Sequence, residues 1–160
     1  MASGSNREML RHTVATLAYR GGKAIADVPP EFAAFRAAET SRTPAEILSH
    51  IGDLLDWALQ VAKGAYVYKE VAARSWAEDL ARFFAALKEL DSYLASDAPL
   101  GYSAEKIFQG PIADALTHVG QIALLRRMAG APVRGENYFK AEIVSGRVGK
   151  QQSANRIEFD

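Results

Sequence analysis

Proline placement constrains this chain more than any other feature. Pro29, Pro30, Pro44, Pro99, Pro111 and Pro132 leave long proline-free stretches between them. Proline disrupts helix interiors and central strands alike, so regular structure belongs in those stretches. Their apolar spacing is helical. After Pro44, the residues Ile47, Leu48, Ile51, Leu54, Leu55, Ala58 and Leu59 form an i, i+3, i+4, i+7 stripe. Thr43-Pro44-Ala45-Glu46 opens that stripe with a capping box and a proline at the first helical position. Ser75-Trp76-Ala77-Glu78 repeats the box before Leu80, Phe83, Leu87, Leu90 and Leu94. Ser5-Asn6-Arg7-Glu8 has the same form before Leu10, Val14 and Leu17. Pro111 opens a fourth stretch, and Gly130 followed by Pro132 closes it.

These signals predict an all-α fold with helices over about 5–26, 44–63, 75–96 and 111–129. Gly21-Gly22 is a place for the first helix to bend, and residues 31–39 have room for a short extra helix. Residues 1–132 read as one four-helix bundle. Residues 133–160 read as a mostly irregular C-terminal tail, packed on the bundle or on a neighbouring subunit. The links between helices one and two and between three and four run to about seventeen and fourteen residues, whereas antiparallel neighbours need only about 2–8. Two long crossovers fit an up-up-down-down bundle.

Composition removes several function classes. Nineteen Lys and Arg balance nineteen Asp and Glu, so no basic excess exists to meet nucleic acid. Cysteine is absent, which excludes disulfides, thiolate metal sites and a cysteine nucleophile. No apolar run approaches a membrane span, and no signal-peptide core opens the chain. The expectation is a cytoplasmic protein that binds neither membrane nor nucleic acid.

The three histidines are His12, His50 and His118. His12 lies off its helix's apolar stripe and is expected to face solvent. His50 flanks the stripe of the second helix. On the last helix Asp114 and His118 are spaced i, i+4 and share a face. Facing helices of a bundle bring such groups together, and two imidazoles with one carboxylate suit Zn, Ni, Mn or Fe with positions left open. The same residues also have plain structural roles: a histidine beside an apolar stripe, and a carboxylate favoured by the dipole of a first helical turn. Gln121 is placed to touch a metal-bound water or a substrate, Asp53 to support the His50 imidazole, and Trp57 to wall a pocket.

The segment Thr43-Pro44-Ala45-Glu46-Ile47-Leu48-Ser49-His50-Ile51-Gly52-Asp53-Leu54-Leu55-Asp56-Trp57 resembles the second helix of the DinB-like (YfiT-like) metalloprotein superfamily. Ala115-Leu116-Thr117-His118-Val119-Gly120-Gln121-Ile122-Ala123-Leu124-Leu125-Arg126-Arg127-Met128-Ala129-Gly130 resembles its last helix. The resemblance implies a bundle with a divalent metal near one end, often in a homodimer. The family's three ligand positions fall on His50, Asp114 and His118. Aspartate stands where the family has its middle histidine, a harder ligand that tilts preference toward Mn, Fe or Mg, or that marks a lost site. By resemblance the activity is metal-dependent transfer to or from a low-molecular-weight thiol, with metal-assisted hydrolysis as its variant. The alternative is a non-catalytic, stress-associated binding or interaction protein.

Overall fold

The computed structural model describes residues 2–159. Four long helical segments form a bundle: α1 (Ala2–Ile25), α2 (Pro44–Ala62), α3 (Trp76–Ala95) and α5 (Ala113–Met128). A short α4 (Ala104–Ile107) and a π-helical turn (Phe108–Ile112) lead directly into α5. Capping chemistry fixes the starts of α2 and α3. Thr43 N–H donates to Glu46 Oε2 at 2.7 Å, and Glu46 N–H donates to Thr43 Oγ1 at 3.2 Å. Ser75 and Glu78 exchange the equivalent pair of bonds.

The core is the expected stripe of each helix turned inward. Leu17, Leu48, Ile51, Leu55, Phe83, Leu87 and Leu90 are sealed from solvent. Each such side chain contributes about 1.5–3 kcal/mol of transfer free energy.

Three local expectations are corrected. Ser5 does not cap the first helix, because the helix is already formed at Ala2. Asn6 and Arg7 instead reach Glu105 and the Tyr93 and Leu94 carbonyls at the end of α3. Gly21-Gly22 does not bend α1; a Cβ at Gly21 would stand 2.6 Å from Phe83 Cζ, so this glycine lets α3 approach. Pro111 does not open the fourth helix. The helical rod begins at Ala104, capped by the Ser103 side chain, and the π turn accommodates the proline, which has no N–H to give the ladder. Residues 30–34 form a single 3₁₀ turn within the segment expected to hold a short helix.

Helix directions also depart from expectation. Arg7 at the start of α1 meets the end of α3, and Arg11 pairs with Asp91, so α1 and α3 are antiparallel. Arg126 near the end of α5 reaches the Ala24 and Ala26 carbonyls, so α1 and α5 are parallel. Asp53 meets Arg82, and Lys63 lies over Tyr93, so α2 and α3 run parallel. The order is up-down-down-up, not up-up-down-down. The links 26–43 and 96–103 cross the bundle's ends, the second shortened by the early start of the rod at Ala104, and the lengthwise return is made by residues 63–75. A link of about a dozen residues reaches roughly 40 Å when extended. The 19-residue α2 is about 28 Å long, so that link suffices.

The C-terminal region lies against α1. Two residues, Gly135–Glu136, pair antiparallel with Glu158–Phe159. Beneath them the buried Glu136 carboxylate accepts from Tyr19 Oη and, at 2.8 Å, from Lys23 Nζ. Lys23 also donates to Glu158 at 2.8 Å, and Arg156 covers the Tyr19 ring. Burial alone would raise the Glu136 carboxyl, but Lys23, Tyr19 and Arg156 together hold it below the usual carboxylate range. No helix among the described residues is long and apolar enough to cross a membrane.

Candidate metal centre

Two elements bring the predicted residues together. The α2 stripe leaves His50 at its edge, toward α5. On α5, the four-residue spacing stacks Asp114 and His118 on one face. Because the helical rod starts at Ala104, Asp114 lies well inside it, and the dipole of a free first turn does not account for this carboxylate.

The donors converge. Asp114 Oδ1 is 3.3 Å from His118 Nε2, and Oδ2 is 4.0 Å from His50 Nε2. The two imidazoles stand nearly perpendicular, centroids 4.7 Å apart. One donor atom from each of the three residues lies within 4.8 Å of the others. Donors around a tetrahedral ion at about 2.0–2.1 Å sit about 3.3 Å apart. Side-chain adjustments of under about 1 Å would therefore close these three on one ion. The group can hold a metal ion.

The outward nitrogens are held as well. His118 Nδ1 lies 2.7 Å from Gln121 Oε1, and its Nε2 faces Asp114. His50 Nδ1 lies 3.2 Å from Tyr68 Oη. With a metal on Nε2, the Nδ1–H would donate to the Tyr68 oxygen. Outer partners of this kind fix the tautomer and ring orientation of ligating histidines. Burial and the facing His118 ring keep the His50 imidazolium below its ordinary pKa. That direction favours the neutral imidazole that a metal ligand must offer, against the opposing pull of the Asp114 carboxylate.

Tyr68 is the residue that sequence reading missed. It sits on the lengthwise link, which has no periodicity and no motif. The link is clamped where it passes α2: Val71 N–H donates to Asp53 Oδ2 at 3.3 Å, and Ser49 Oγ donates to the Val71 carbonyl at 3.2 Å. Trp57 then stacks edge-on against both Tyr66 and Tyr68. The aromatic run Tyr66-Val67-Tyr68 opposite Trp57 was the available signal.

The supporting residues shift role accordingly. Asp53 does not touch the His50 ring; buried, it binds Arg82 at 2.7 Å and pins the link. Trp57 holds Tyr68 and walls a cavity of about 360 Å³ with Gln60 and Val67, as expected, but that cavity is separate from the clefts at His50 described below. Gln121 orients His118, its carbonyl oxygen already engaged. His12 is exposed, as expected. Arg126 is buried against the Ala24, Ala26 and Ala131 carbonyls and closes the end of α1.

Two open clefts meet at His50. One, of about 640 Å³, runs between α2 and the link, past Arg42, Ser49 and Glu70. The other, of about 580 Å³, runs beside α5 and is lined by His50, His118, Gln121, Arg42, Leu124 and Met128, among others. His50 borders both clefts, and His118 borders the second.

No family model, curated protein or solved structure matches this chain. The fold and the His/Asp/His group stand on the chain's own geometry.

Proposed function

We propose that this protein binds a divalent transition metal through His50 Nε2, Asp114 and His118 Nε2 and uses it on a small molecule. One observation carries this reading. Both imidazoles turn Nε2 toward a single carboxylate, while each Nδ1 is held by a separate outer partner, Tyr68 and Gln121. Chance pairing of exposed charges does not call for two such partners.

A metal in this setting would lower the pKa of a bound thiol or water toward neutrality. The resemblance to the DinB-like superfamily favours a low-molecular-weight thiol. The aspartate ligand, harder than histidine, supports water activation and Mn or Fe over Zn or Ni. The chain's own contribution is orientation. Gln121 and Tyr68 fix the rings, Asp53 and Trp57 fix Tyr68, and the clefts admit the reactant. A homodimer belongs to the same reading through that resemblance.

The test is elemental analysis of protein purified without tag or chelator, beside His50→Ala and Asp114→Ala. Near-stoichiometric metal in the wild type and its loss in both variants is the expected result. Wild-type protein that carries no metal and ignores added Zn, Ni, Mn and Fe would overturn the reading and leave a non-catalytic bundle.

A further inference from the structure

The cleft beside α5 has an uneven lining. His50, His118 and Gln121 lie on one part of it, and Leu124 and Met128, both more than half exposed, lie on another. Arg42 is the only formally charged side chain among its described lining residues.

Most arginines here are engaged. Arg36 donates to the Ser41 carbonyl and pairs with Glu46. Arg82 binds Asp53 and Asp56, and Arg11 binds Asp91. Arg42 has no hydrogen bond and no ion pair with any described residue. Candidate partners are occupied: Glu46 bonds the Thr43 N–H and meets Arg36, and Asp53 holds Arg82. Glu70 shares the other cleft with Arg42 but forms no ion pair with it. Arg42 precedes the capped residue Thr43, so its backbone is fixed by the capping box.

A guanidinium offers a planar fork of donors that fits carboxylate or phosphate oxygens in pairs. Here that fork shares a cleft with a candidate metal group and an apolar wall. We infer that the small molecule served by this site carries an anionic carboxylate or phosphate group, received by Arg42, together with a donor atom for the metal and an apolar segment laid on Leu124 and Met128. This rests on the metal reading above and narrows it to a chemical class.

The experiment uses the full chain loaded with Co(II), whose visible spectrum reports its ligands. Metal uptake is measured first, without any other ligand. Acetohydroxamate is then titrated against N-hydroxysuccinamate and N-hydroxyglutaramate, which offer the same metal-binding group with an added carboxylate at two reaches. Phosphate is titrated separately to distinguish the two anion types. At least one carboxylate probe, or phosphate, is expected to bind wild type about tenfold more tightly than Arg42→Gln, with acetohydroxamate unchanged between them. Arg42→Lys should recover only part of the preference, because it keeps the charge but loses the fork. Equal anion affinity in wild type and Arg42→Gln would overturn the inference and leave the metal reading standing. A Co(II) spectrum that no probe perturbs would overturn it too, by showing no open position. Failure of Co(II) uptake is seen before any probe is added and overturns both.

Discussion

Replacing Tyr19 by phenylalanine isolates the bond that ties the C-terminal region to α1. The ring stays, so its contacts with Tyr138 and with the Arg156 guanidinium stay as well. What is lost is the hydroxyl's donation to Glu136, whose side chain is fully buried. A hydrogen bond to a buried charged group contributes about 1.5–3 kcal/mol. The pH dependence gives a second, qualitative check. Burial and the Glu136 carboxylate push the Tyr19 hydroxyl from 10 up to about 12. Because the folded value lies above the unfolded one, the contribution is whole below pH 10 and is lost as pH rises through 12. Urea unfolding followed by circular dichroism should place Tyr19→Phe roughly 2 kcal/mol below wild type at pH 7.5. At pH 11 roughly half of that gap should have closed. A variant as stable as wild type at pH 7.5 would refute the reasoning, as would a gap unchanged at pH 11.

Other outcomes follow from the same geometry. Tyr68→Phe and Gln121→Ala should each weaken metal affinity by about 10–100-fold in chelator competition while leaving the helical spectrum intact. Arg82→Ala strands Asp53, which is 1% exposed, and should cost about 3–5 kcal/mol in denaturant unfolding. Gly101→Ala would put a Cβ 2.1 Å from the Gly64 Cα, a backbone atom that cannot swing away, and should lower the melting temperature by several degrees.

The parts of the fold legible in the sequence are those with local causes. Thr43 with Glu46 and Ser75 with Glu78 announce their helices because both partners of each bond lie within four residues. His50, Asp114 and His118 could be grouped because helix periodicity fixes which side chains share a face. Topology was hidden because link length does not say whether a link crosses an end or runs the bundle's length. Pro111 misled because a proline suits a helix's first turn and a π turn equally in sequence, and only the Ser103 cap separates the two. Tyr68 was hidden because its meeting with His50 depends on Asp53 and Ser49 clamping Val71, a contact across the fold rather than along it.

The π turn has a consequence for how such a site can change over generations. It takes up a residue beyond the α-helical count, and each residue of an α-helix turns the chain by about 100°. Removing Gly110 alone would straighten the rod and rotate Asp114 and His118 relative to Ala104–Ile107 by about that angle. The pair would then no longer point at His50. The orientation of the Asp114–His118 face is thus set by chain length, so a single-codon deletion could scatter the candidate group while all three residues remained encoded.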